Sequence, residues 1–176
     1  VTLTQRIRQA SSRLLGWRYG TGPATRFPYL APSIPPTLVT AGPSCIDCSS
    51  LTTWVLATVY PSHGWDQQSY EDMQIYDPTR PWSPVEAVER FGVGSRVVAP
   101  VGGAWHLTQG WRSLDPLAGG HARLAYAHPA DPDSLVVLES TSRDGGRGPT
   151  WTRTTWAKLL HHYRNGDVVA VALGEG

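Results

Sequence analysis

Apolar positions recur at helical spacing at the start of the chain: Leu3, Ile7, Leu14 and Leu15 fall on one stripe, with Arg6, Arg8 and Arg13 on other faces. This pattern predicts an amphipathic helix over Thr4–Leu15, stopped by Gly16 and the Gly20–Gly22 segment. A second helix is predicted over Ser49–Tyr60, with Leu51, Val55 and Val59 along one stripe, Asp47 ahead of its first turn and Pro61 at its end. Between the two, Pro23, Pro28, Pro32, Pro35, Pro36 and Pro43 exclude a regular element, because proline fixes φ and lacks an N–H. An irregular stretch that long in a compact domain is expected to be functional or an insertion. Residues 64–84 are irregular and aromatic (Trp65, Tyr70, Tyr76, Trp82), and Pro84–Phe91 reads as one short helix.

The period changes in the second half. Arg96–Val101, Trp105–Trp111, Ala122–Tyr126, Leu135–Ser140 and Val168–Leu173 read as strands separated by Gly, Pro and Asp turns, with a short helix over Trp156–Tyr163. Helices first and strands afterwards predict an α+β fold with N-terminal helices packed on an antiparallel β-sheet.

Composition narrows the class. A chain of 176 residues is expected to form a single domain over 1–176, with insertions at about 21–44 and 64–84. Lys and Arg number 15 against 14 Asp and Glu, a net charge of +1 that excludes a dedicated nucleic-acid binder. Hydrophobic content of 40% excludes a disordered chain, and no heptad or collagen repeat is present. No run approaches the roughly 18 apolar residues that span a bilayer, so no membrane span is expected. Val1–Arg13 is polar and lacks the apolar core of a signal segment, which predicts either retention in the producing cell or exit by another route. The 8 Trp and 7 Tyr against 2 Phe suit a groove for amphipathic ligands such as sugars or peptides, or simply a Trp-rich core.

The two cysteines lie in Ser44-Cys45-Ile46-Asp47-Cys48-Ser49-Ser50, and three readings compete. A CxxC pair at a helix start suits thiol–disulfide exchange, but that motif belongs after a strand in a chain opening with a βαβ pattern, and here a Pro-rich segment precedes it. Zinc would need two further ligands. No second CxxC exists, and the adjacent His161 and His162 would diverge on a helix, so no metal is expected. In the third reading Cys48 is a nucleophile, its thiolate stabilised by the free N–H groups and dipole of the following helix, which also suit an oxyanion.

Such a nucleophile needs a base. Of the six histidines, His161, His162, His63 and His128 read as surface or turn residues, and His106, inside a candidate strand, reads as a groove residue. His121 enters a strand through Gly119-Gly120, held by the sheet yet open at its edge, and is the favoured base. Glu139, at the end of the next strand, is the candidate partner that fixes its tautomer if that hairpin is antiparallel.

The order of Gly16-Trp17-Arg18-Tyr19-Gly20, Asp47-Cys48-Ser49-Ser50-Leu51 on a helix, Gly120-His121 opening a strand, and Val137-Leu138-Glu139-Ser140 resembles the NlpC-type cell-wall cysteine peptidases, a branch of the papain-like superfamily. The resemblance covers roughly Thr4–Ser140 through short motifs, with Ser50 where the family has Gly. It implies a papain-like fold and hydrolysis of amide bonds in bacterial peptidoglycan stem peptides through an acyl-enzyme at the cell wall, without metal or cofactor. It makes Cys48 the nucleophile, His121 the base and Glu139 the third polar residue of the catalytic set. Tyr19 becomes a site-lining residue and Asp47 the holder of the substrate's free amino end; Ser49 and Trp105 complete the candidate substrate-binding set. The chain departs from the family in its long Pro-rich link before Cys48, its long 64–82 segment, and the strand Ala122-Arg123-Leu124-Ala125-Tyr126, where the family has an all-apolar run. A thiol–disulfide oxidoreductase using Cys45 and Cys48, and a non-catalytic Trp-rich glycan- or peptide-binding module, are the alternatives. The sequence is silent on oligomeric state.

Overall fold

A computed structural model describes residues 1–19, 29–30, 37–38, 46, 48–60, 88–111, 120–141, 148–161, 163 and 168–175. The fold is α+β. In chain order the elements are α1 (Leu3–Ser12), β1 (Tyr29–Leu30), β2 (Thr37–Leu38), α2 (Cys48–Val59), β3 (Gly94–Val97), β4 (Trp105–Trp111), β5 (Gly120–Ala127), β6 (Ser134–Thr141), β7 (Gly148–Thr155), α3 (Trp156–His161) and β8 (Val169–Leu173). The chain forms two compact units, Val1–Ile75 with Glu139–Thr150, and Tyr76–Leu138 with Trp151–Gly176.

In the first unit α1 packs on α2. Leu3, Ile7, Ala10 and Ser11 bury one stripe of α1 while Gln5, Arg8, Gln9 and Ser12 face water, as the 3.6-residue period requires. Its start is fixed by a capping box: the Thr2 side chain accepts from the Gln5 N–H, and the Gln5 side chain accepts from the Thr2 N–H at 2.8 Å. The helix ends at Ser12, three residues short of the predicted Leu15. Successive turns (Leu14 N to Ser11 O, Trp17 N to Leu14 O) lead into Gly16 at φ +92°, which leaves Leu14 buried and Leu15 exposed. Helix α2 is different in kind. Every residue from Leu51 to Tyr60 is buried except Thr58, which is half-buried. The Arg6 guanidinium donates to the Val59 carbonyl at 2.9 Å, placing a cation at the negative end of the helix.

The Pro-rich segment was expected to hold no regular element; it contains a two-residue antiparallel ladder, Tyr29 opposite Leu38 and Leu30 opposite Thr37. A ladder this short leaves the prolines outside it.

The strands form a six-stranded sheet in the order β3-β8-β4-β5-β6-β7, and each described pairing is antiparallel. β4 and β5 run in register from Trp105 opposite Tyr126 to Trp111 opposite Gly120. Within the second unit, Ala125, Ala127, Leu135, Val137 and Ala170 pack against Trp156, Leu159 and Tyr163, so α3 covers one face of these strands. α3 starts where the Trp156 N–H donates to the Asp133 carbonyl at 2.9 Å.

Two expectations need correction. The strand predicted over Arg96–Val101 is Gly94–Val97, because its ladder is set by pairing with β8 (Gly94 opposite Leu173) rather than by the valines that follow. Val98 is 99% exposed, and Pro100 brings no N–H to a ladder. β7 was not predicted at all. It ends the sheet order, and its Thr-rich sequence carries β-branched residues without the apolar alternation that marks a half-buried strand.

Candidate active site

Cys48 is the first residue of α2, is 8% exposed and is present as a thiol. At this position the first N–H groups of a twelve-residue helix have no intrahelical acceptor. Thr52 is wholly buried and donates its hydroxyl to the Cys48 carbonyl at 3.1 Å, a bond to the preceding turn that ties the cysteine backbone down.

The chain just before Cys48 is held from both sides. The Ile46 N–H donates to the Arg18 carbonyl at 2.9 Å, and the Ile46 carbonyl accepts from the Ser140 hydroxyl at 2.6 Å. Ile46 and Ser140 are both fully buried. Gly148 (φ +71°) lies so close to the Trp17 carbonyl and the Arg18 backbone that a Cβ there would overlap them. Three of the motif segments, Trp17-Arg18-Tyr19, Ile46 to Cys48 and Glu139-Ser140, thus meet through Ile46. Tyr19 and Glu139, each one residue from an Ile46 partner, are half-buried. Asp47 and the side chain of Ser49 lie outside the described residues, as does Cys45.

His121 belongs to the second unit. It is the second residue of β5, opposite Gly110 of β4, and is 2% exposed. The expectation of a histidine open at a strand edge is corrected here. β5 begins at Gly120 and lies between β4 and β6; at His121 it pairs with Gly110 of β4, the ladder with β6 covers Leu124–Ala127, and the histidine itself is buried. Gly110 across from it contributes no side chain.

Trp105 is 3% exposed, with its ring 5.5 Å from that of Tyr126 and 5.9 Å from that of Trp151. Tyr126 and Trp151 are half-buried and carry the accessible part of this aromatic group. No family model, curated protein or solved structure matches the chain.

Two positions, Ser140 and Arg123, carry no signal of their role in the sequence, and the reading of His106 needs correction. Ser140 stood in the quoted Val-Leu-Glu-Ser segment, but its role depends on a bond to a residue 94 positions away. Arg123 is 3% exposed in the core of β5, its guanidinium 5.5 Å from the centre of the Tyr163 ring. His106, expected to line a groove, is fully buried and its ring packs edge-on against Trp156 at 5.6 Å. Burial holds its pKa below the ordinary 6.5, partly offset by the Ala125 and Ala104 carbonyls. Among the described residues no group of three His, Cys, Asp or Glu side chains is placed to hold a metal ion, and no helix is long and apolar enough to cross a membrane.

Proposed function

We propose that this chain is a cysteine peptidase or amidase of papain-like type that hydrolyses amide bonds in bacterial peptidoglycan stem peptides. The carrying observation is the attachment of Cys48: it opens a buried helix, and the residue two before it is hydrogen-bonded to both the Tyr19 segment and the Glu139 segment. A nucleophile on a rigid element, at a helix start whose first N–H groups have no acceptor within the helix, is what acyl transfer requires.

In this reading the Cys48 sulfur attacks the scissile carbonyl carbon while His121 takes the thiol proton. The helix N–H groups stabilise the oxyanion that forms. Collapse expels the amine, which takes its proton from His121, and leaves a thioester. Water, deprotonated by His121, attacks the thioester and releases the carboxylic acid and the Cys48 thiol. Glu139 orients the imidazole, Tyr19 lines the site, and Asp47 holds the free amino end of the stem peptide, with Ser49 and Trp105 as further contacts. The chemistry asks for no metal or cofactor.

The test is mass spectrometry of soluble fragments from purified peptidoglycan treated with the protein, with Cys48→Ala and with Cys45→Ala. New stem-peptide fragments are expected from the first and third and none from the second. Fragments that persist with Cys48→Ala overturn the reading. Activity lost equally with Cys45→Ala would instead favour thiol–disulfide exchange, in which both sulfurs take part.

A further inference from the structure

The segment joining β3 to β4, residues 98–104, reads Val-Ala-Pro-Val-Gly-Gly-Ala and runs over the surface, with Val98 99% and Val101 45% exposed. One end of it is well tied by backbone: the Gly103 N–H donates to the Ala127 carbonyl at 2.8 Å, and the Ala127 N–H to the Ala104 carbonyl at 3.0 Å. Val101 is held on two sides: its carbonyl accepts from the Ala104 N–H at 3.1 Å, closing the turn, and its N–H is held by a side chain. The Val101 N–H donates to His106 Nε2 at 3.0 Å. Nε2 accepts here, so the neutral ring carries its proton on Nδ1, and Nδ1 is buried without a hydrogen-bond partner.

A second proton has nowhere to go but Nε2, and an Nε2–H would point at the Val101 N–H. The two states of the ring are therefore tied to two states of the arm. We infer that His106 is a proton-operated latch: the neutral ring holds the Val101 N–H and the arm that leads into it, and the protonated ring releases that hold.

The surroundings bias the latch towards its closed state. Around the ring stand Ala125 of β5, directly opposite on one side, Ala172 of β8, opposite on the other, and Trp156 of α3. β4, β5, β8, α3 and residues 98–104 contain no Asp or Glu; the 128–133 segment, against which Gly102 and Gly103 pack, carries His128, Asp131 and Asp133, all exposed to water. The ionisable groups these elements bring are Arg123 and His121 on β5, the exposed Lys158 and His161 on α3, and Tyr163 just beyond it, whose hydroxyl is bonded to Thr108. The Ala125 and Ala104 carbonyls favour the charged ring, but burial outweighs them, and none of the buried groups supplies a negative charge to stabilise an imidazolium. Protonation is thus favoured in the open arm, where the ring reaches water, over the closed one. Opening rises with acidity below the ordinary histidine value of 6.5, by up to about tenfold per pH unit, until the closed form itself takes up the proton.

This inference does not depend on the proposed peptidase chemistry. Its test is amide exchange by NMR between pH 7.5 and 4.5, corrected for intrinsic rates, together with the ring resonances of His106. Protection of Val101 is expected to fall by up to about tenfold per pH unit below 6.5, while Gly103 and Ala127 keep theirs. The ring nitrogens are expected to report the Nδ1–H tautomer at neutral pH. In His106→Gln, whose amide oxygen is an acceptor that does not titrate, Val101 protection should be independent of pH. If that variant fails to fold, the wild-type titration decides alone. Constant Val101 protection across the acid range, loss of all three amides together, or the Nε2–H tautomer would each overturn the latch.

Discussion

Helices α1 and α2 pack together in one unit, yet they are held by different forces. α1 buries a single stripe, and its start is secured by its own neighbours, Thr2 and Gln5, in a capping box exposed to water. α2 is buried on nearly all sides, and its ends are secured from afar: Ile46, two residues before its start, is tied to Arg18 and Ser140, and its last turn is capped by Arg6. An amphipathic helix is legible in its own sequence, whereas a helix apolar all round belongs to a core and takes its stability from tertiary packing. The difference bears on function. The candidate nucleophile sits on the helix whose position is set by the rest of the unit, which is the arrangement that holds a reactive group within a narrow tolerance.

The largest expected effect comes from the middle of α2. Trp54 is wholly buried, so Trp54→Ala should cost about 3–5 kcal/mol from lost packing and the cavity left behind. Its indole N–H is buried without a partner, so removing it relieves a penalty and draws the value towards the lower figure. Gln9→Ala on the exposed side of α1 should stay within about 0.5 kcal/mol. Urea denaturation measures both, and a Trp54→Ala cost close to that of Gln9→Ala would break the contrast between the helices.

Gly148→Ala should follow, at about 2–4 kcal/mol, because a Cβ there overlaps the Trp17 carbonyl and a positive φ disfavours any side chain. Ser140→Ala should cost about 1–3 kcal/mol by leaving the buried Ile46 carbonyl without its donor. It should also lower the proposed wall-cleaving activity relative to a variant equally destabilised elsewhere, such as Ile7→Val in α1. Equal activity in the two would mean that the attachment of Ile46 serves stability alone.

Much of this fold was legible because local pattern and final environment agree. β4 has the limits its pattern predicts, and β5 and β6 extend only one or two residues beyond theirs, since alternation marks a strand with distinct faces. Local pattern misleads where the decisive partner lies elsewhere in the chain. Val97, Val98 and Val101 suggested a strand, but the β8 ladder stops at Val97. β7 sits at the end of the sheet order and is dominated by threonine, so its sequence carries the β-branched preference and not the apolar signal. The same division applies to the candidate site. Cys48 at a helix start could be read from Asp-Cys-Ser-Ser, while the Ser140 bond to Ile46 and the burial of His121 depend on contacts distant in sequence.

The smallest expected effect tests the local side of the comparison. Thr2→Ala removes the hydroxyl that accepts from the Gln5 N–H at 3.2 Å but keeps the Thr2 N–H that donates to the Gln5 side chain at 2.8 Å. Half of the capping box survives and the site is open to water, which satisfies the freed donor, so the cost should be about 0.5–1 kcal/mol, below that of Ser140→Ala. Thr2→Ser restores the acceptor and should restore most of the stability. Thermal unfolding of the three variants side by side orders them. A Thr2→Ala cost above that of Ser140→Ala would invert the argument, because the exposed local cap would then matter more than the buried tertiary bond.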